Sequence, residues 1–294
     1  MKISSGALRA KRSCTSGYRW FSRRFTNPAD YQGVIDALVA DGRVDDACWL
    51  LDQFGPIESV LVLDALSAEA FVYAGSVQVR GEVDVDAVLR TGGSLQAGGS
   101  IRTGGTVSVG NDLHAGAGLR TLGSLRAGGH LVSAWSVEVH GALSCGGNLR
   151  VRGALACGGA LRGAGSAVVA QDLEVHGLID CAKSLRVGGH VVCTEGLRAG
   201  HGIQVGQSIR SGMHIDAGWG IVAGSDITAE GTIRAGECIV SGGSVRTGAG
   251  FSLYAGLNVR RDAWSSCGRV VSRTPPENLL SGFWDGGHAR EVRA

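Results

Sequence analysis

The sequence predicts an all-β chain, a parallel β-solenoid (β-helix) of six-residue strand units with a small N-terminal α-helical cap. Three observations carry this. Every sixth residue from Phe71 to Leu257 is apolar, and Ala167 alone among them is small. Two residues after each comes a second, smaller side chain, as at Val79, Ala97, Thr103, Cys145 and Val187, followed as a rule by glycine. The third is that the unit, apolar, x, small, Gly, Gly, x, continues without a break. An apolar pair two apart is a short strand with one buried face, and one or two glycines in most units leave no room for a useful helix. Strands this short bury their inner face only by stacking coil on coil at the ~4.8 Å strand spacing.

The repeat accounts for the composition, with 49 glycines and 5% aromatics. Collagen is excluded by the period and by the scarcity of proline, of which there are 4. A net charge of +2 excludes a global basic field, so any anionic partner must be recognised by local patterning. No transmembrane segment is expected, because no run of about eighteen apolar residues exists. The basic opening stretch lacks the apolar core of a secretory signal. Cys145, Cys157, Cys181 and Cys193 fall at the small inward position and read as core fillers in place of Ala or Val, which points to a reducing cytoplasm.

In chain order, residues 1–26 read as a basic N-terminal arm carrying Trp20, Phe21 and Phe25. Residues 27–66 read as a helical-hairpin cap. Asn27 is the expected N-cap with Pro28 at the first helical position, and Val34, Ile35, Leu38 and Val39 form the apolar stripe. The Asp41-Gly42-Arg43 turn leads into a second helix, from about Asp45 to Phe54, which Gly55-Pro56 stops. Ile57 to Ala65 is a strand-like lead into the first coil. Residues 67–259 are the expected β-solenoid, and 260–294 a C-terminal cap and tail. Trp264, Phe283 and Trp284 there have no repeat to bury them and are expected to cover the last coil, with fraying from about Gly286.

Coil length has two solutions. The outward residue between the two inward ones is Arg at Arg90, Arg102, Arg126, Arg150, Arg162, Arg186, Arg198, Arg210, Arg234 and Arg246, a period of twelve. A twelve-residue coil gives a flat solenoid of about 75 Å with one Arg-rich face; an eighteen-residue coil gives a triangular prism of about 50 Å. The triangular form offers core volume for Leu and Ile in every strand. It also places Arg90, Ser108, Arg126, Ser144, Arg162, Asp180, Arg198, Asp216 and Arg234 in one column, which keeps like charges off adjacent coils. Volume and charge favour eighteen; bare periodicity favours twelve.

The hexad texture from Phe71 to Leu257 resembles two groups, the hexapeptide-repeat acyltransferases and the bactofilins, which are polymer-forming cytoskeletal β-solenoids. The hexapeptide order differs, placing the aliphatic directly before glycine, and an acyltransferase would need a catalytic His beside a loop thrown out of the coil. The unbroken phase leaves no such loop. His130, His190 and His214 precede inward aliphatics, and His140 and His176 sit at corners; all read as solvated surface residues. Glu138 with His140 and Glu174 with His176 are too few ligands for a metal site, and glycine pairs such as Gly92-Gly93 recur as corners rather than phosphate loops. No catalytic, metal or cofactor-binding residue is therefore expected. The expected function is a non-enzymatic cytoplasmic scaffold or interaction rod, with a protein partner or self-association of the bactofilin kind. The alternatives are a rod that binds an anionic polymer or nucleic acid through the ten arginines above, and an acyltransferase-like enzyme.

Overall fold

A computed structural model describes residues 1–286. The solenoid consists of three parallel sheets that form the three sides of a prism, which we call faces 1, 2 and 3. They contain 13, 11 and 12 strands and begin with Val60–Leu63, Leu66–Ala68 and Phe71–Tyr73 respectively. Each strand pairs with the one a full coil on, as in Leu113↔Leu131 on face 1, Ile101↔Leu119 on face 2 and Val107↔Leu125 on face 3. That offset is eighteen residues, so the triangular solution holds. Two inward side chains from each of three strands fill the prism: Leu89, Leu95 and Ile101 in one turn, for example, have no measurable exposure. Some thirteen stacked strands span ~58 Å.

The solenoid is longer than expected at both ends. It starts at Val60 rather than at 67, and its last strand, Phe283–Asp285, lies well beyond 259. The inward phase also fails earlier, because Phe251 and Leu257 are 41% and 47% exposed. The cause is a two-residue insertion after Thr247. Gly250, at φ +80°, turns the chain, and Leu253 rather than Phe251 stacks on Ile233. A loop with the short helix α5 (Trp264–Cys267) follows, and the chain then rejoins the stack. Val270 lies on Ile239, Leu279 on Leu253 and Trp284 on Val270. The segment expected as a cap thus continues two of the three sheets. Trp284 lies half-buried over Val270 in the register, whereas Phe283 is 50% exposed and Trp264 packs half-buried beside Gly256 and Gly268. The expected fraying beyond Gly286 lies outside the described residues.

At the other end, residues 1–26 are not a separate arm. Lys2–Ile3 pairs antiparallel with Ala29–Asp30, and helices α1 (Ser5–Ala10) and α2 (Thr15–Arg24) pack on the hairpin of α3 (Tyr31–Ala40) and α4 (Val44–Phe54). Ile3, Leu8 and Phe21 share one core with Tyr31, Val34, Ile35, Leu38 and Leu50. Only these few apolar side chains are set among basic residues, which is why composition alone reads as an arm. The cap of α3 also differs from expectation. Asp30 accepts the Gly33 N–H at 3.0 Å, while Asn27 is drawn away to Ser5, accepting its backbone N–H at 3.1 Å and donating to its hydroxyl at 2.9 Å. The α3 stripe, the turn at Gly42 (φ +69°) and the stop at Gly55 (φ +77°) stand as expected.

The hairpin does seat on the first coil, but mainly against its side. Val72, the outward residue of Phe71–Tyr73, and Ala74 are buried in the helical core. Gln32 also covers that strand's open edge: its amide donates to the Val72 carbonyl at 3.2 Å and accepts the Ala74 N–H at 2.9 Å. One side-chain amide thereby replaces the missing neighbour strand at two positions.

Candidate anion-binding face and end cleft

Because the coil holds three strands, an alternation with period twelve is dealt out over all three faces. Face 3 receives Arg90, Arg126, Arg162, Arg198 and Arg234; face 2 receives Arg102, Arg210 and Arg246; face 1 receives Arg150 and Arg186. The ten arginines are not one patch. All are exposed except Arg90, which is half-buried and paired with Asp52 of α4. On face 2, Arg102 stacks directly on Arg120, and Arg120 is relieved by Glu138 at 3.4 Å on its other side. On face 1, Arg186 donates to Gln204 at 3.0 Å.

Face 3 carries the expected column: Arg90, Ser108, Arg126, Ser144, Arg162, Asp180, Arg198, Asp216, Arg234. Arginines recur every second coil, about 9.6 Å apart, so like charges do not stack. Beside this column runs an edge whose first corner position is always Gly or Ala: Ala74, Gly92, Gly110, Gly128, Gly146, Ala164, Ala182, Gly200, Gly218 and Gly236. The matching positions of the other two edges include Arg80, Arg152, Leu122, His140, His176 and Glu230. Face 3 is thus the face where alternate arginines border a continuous strip of bare backbone. At the floor glycines the coils approach closely: a Cβ on Gly218 would lie 2.0 Å from the Gly200 carbonyl oxygen.

Near its C-terminal end the strip becomes a cleft of about 490 Å³, lined by Arg198, Asp216, Arg234, the floor glycines 200, 218 and 236, and the loop residues Leu257 and Asn258. The insertion that breaks the repeat creates this wall. Asn258 crosses the corner, its N–H bonded to Gly236 O and its side-chain amide to Gly218 O, each at 2.8 Å. Within the cleft Arg234 lies 3.6 Å from Asp216, and Arg198 has no ion-pair partner among the described residues. A second cavity, of about 320 Å³, opens in the helical unit between Leu8, Phe21, Leu38 and Leu50, with Trp20, Trp49 and Asp45 also lining it.

The histidines have a role that the sequence reading missed. Nδ1 of His130 accepts the Asn148 N–H at 2.9 Å, Nδ1 of His214 the Thr232 N–H at 3.0 Å, and Nδ1 of His190 the Ser208 N–H at 3.4 Å. Each therefore holds the equivalent residue one coil on, which fixes the ring proton on Nε2. Ser76, Ser94, Asp112 and Asn148 do the same work on one corner. The available signal was that the residue before the inward aliphatic is so often Ser, Asp, Asn or His, all acceptors. His140 and His176 meet Glu138 and Glu174 at 3.0 and 3.2 Å, and no group of three or more metal-ligating side chains occurs among the described residues.

The four inward cysteines are buried, and two of them donate to a carbonyl of the preceding coil, Cys145 to Gly129 at 3.1 Å and Cys157 to Gly141 at 3.2 Å. Ser133, Ser211 and Ser241 do likewise from the equivalent position. Burial raises all four thiols, Cys181 to about 12 with Asp180 adding to the effect, so they are poor nucleophiles.

Residues 1–54 match the family model described as the YdhT N-terminal domain. This is the helical unit. The match is neither to bactofilins nor to hexapeptide repeats, and it leaves the solenoid unassigned. No curated protein and no solved structure matches the chain.

Proposed function

We propose that the chain is a non-enzymatic, rigid scaffold, a rod that presents long flat faces to partners and carries the helical unit at one end. The supporting observation is the uninterrupted stacking from Phe71 to Thr247, where every turn is the same length and no loop leaves the prism to wall off a catalytic pocket. All eight cysteines are free and four are core thiols, which supports a reducing, cytoplasmic setting. No helix among the described residues is long and apolar enough to cross a membrane. The ends argue for a discrete particle that associates through its faces, since Gln32 covers the first face 3 edge and the last strand of face 1 lays Trp284 over Val270. Negative-stain electron microscopy and light scattering test this: separate rods of roughly 60 Å support it. Removing residues 1–56 uncovers Val72, Ala74 and the strand edge, and concentration-dependent fibres should then form. Long filaments from the intact chain, with none from the truncation, would reverse the argument in favour of an end-to-end polymer.

A second reading is favoured by face 3. Its alternate arginines beside a bare Gly/Ala strip form a track for an extended anionic polymer. Salt-dependent retention on an acidic matrix, reduced when Arg126 and Arg162 become Gln, would support it; no retention at about 50 mM salt would remove it.

A further inference from the structure

The cleft at the end of face 3 differs from the rest of the track because a non-repeating loop walls it and an exposed tryptophan follows one of its floor glycines. Trp219, the residue after floor glycine Gly218, is 51% exposed and lies parallel to His201, the residue after Gly200, with ring centroids 4.3 Å apart and an interplanar angle of 2°. Stacking on the histidine holds the indole flat at the corner, and about half of the residue's surface stays exposed. An exposed flat apolar ring beside polar side chains suits a ligand with one apolar face and a polar rim.

A pyranose ring has that form. Its axial C–H bonds make a flat apolar face, and its hydroxyls take hydrogen bonds in the ring plane. Asp216 can accept such hydroxyls, and Asn258 can do so through an Oδ1 with no partner among the described residues. Arg198 and Arg234 supply charge-assisted donors for a carboxylate. The charge density selects among anionic polymers. Arginines about 9.6 Å apart and separated here by Asp180 and Asp216 are a poor match for a nucleic-acid strand, with a phosphate about every 3.4 Å along the duplex axis. A polysaccharide with one uronate per disaccharide is charged on the spacing of alternate coils.

We propose that this cleft is a binding subsite for an acidic, uronate-containing oligosaccharide, with Arg198 and Arg234 taking the carboxylate and Trp219 seating a sugar ring. This rests on the anionic-track reading of face 3 and names its ligand. The test uses the full chain and short hyaluronan oligosaccharides, which carry one uronate per disaccharide, titrated by calorimetry and by indole fluorescence. Saturable binding is expected, with a fluorescence change absent from Trp219→Phe. Trp219→Ala, and separately Arg198→Gln with Arg234→Gln, should each weaken binding about tenfold or more, while circular dichroism stays unchanged. Arg126→Gln with Arg162→Gln should leave these short ligands unaffected. Retention of long acidic polymers without any binding of short uronates, or short-uronate binding indifferent to Trp219 and the Arg198/Arg234 pair, would overturn the subsite yet leave the track standing. Equal binding of an oligonucleotide that survives Trp219→Ala would also overturn it. Failure of every acidic polymer to bind removes both.

Discussion

The rod and the helical unit bury their apolar side chains in opposite ways. In the rod each inward residue is held by near copies of itself: Leu155 lies between Val137 and Leu173, and each of those is placed in the same way. In the helical unit every contact occurs once. Tyr31 has no measurable exposure, tilts against Phe54 at 6.2 Å, and donates its hydroxyl to the Gly55 carbonyl at 2.9 Å. A repeat therefore advertises its core in the sequence and transmits damage along the stack, while a single-use core does neither.

The largest effect should come from a charge placed in the rod. Leu155→Asp leaves an unpaired carboxylate between coils at a cost of several kcal/mol, about what a whole small domain can spare. Urea denaturation should show the rod signal lost together with solubility. The matched change in the helical unit, Leu50→Asp, should melt that unit first and leave the strand signal. If Leu155→Asp is soluble with unchanged stability, the inward phase is wrong.

Next in size is a pair of glycine substitutions inside the rod. A Cβ at Gly146 would stand 2.0 Å from the Gly128 carbonyl oxygen, so Gly146→Ala must push adjacent coils apart and should cost about 1–3 kcal/mol. Gly163, between Cys145 and Cys181 in the stack, has nothing within 4 Å of a built Cβ. Gly163→Ala should be neutral or stabilising by up to about 1 kcal/mol. Thermal melts of the two variants in opposite directions would confirm that corner glycines serve close approach; a penalty of equal size at both would refute it.

Alkaline pH should weaken both regions together. Burial pushes Tyr31 up to about 12 from an ordinary 10.0, and Cys181 up to about 12 from 9.0. Both groups are neutral when protonated, so the unfolded chain ionises first as pH rises. Their contribution is complete below about pH 9 and is lost progressively up to about pH 12. Urea midpoints should fall over that range, and less steeply in Cys181→Ala. A midpoint independent of pH between 9 and 12 would contradict the burial of both groups.

The smallest expected effect concerns the corner ladder. His130→Ala leaves the Asn148 N–H without its acceptor and should cost about 0.5–1.5 kcal/mol, whereas His130→Asn restores an oxygen and should recover most of it. Equal stability of the two variants would mean that water replaces the ring nitrogen without loss.

The sequence by itself determined the solenoid, its inward positions, the core placement of the four cysteines and the hairpin of α3 and α4. These are local matters: an inward side chain must recur with the strand unit, and a Gly-Pro stop acts on its own helix. It could not choose between coils of twelve and eighteen residues, because a hexad is compatible with both. The choice was made by core volume, which exists only once three strands face one another. The same closure scattered the arginine series over three faces and put five of its members on one. Tertiary structure also decided the ends. A two-residue shift at Gly250 moved Phe251 out of the core, later strands rejoined the stack without any hexad, and a loop was left to wall the cleft. Such contacts join residues far apart in the chain, and each occurs once, so no period records them.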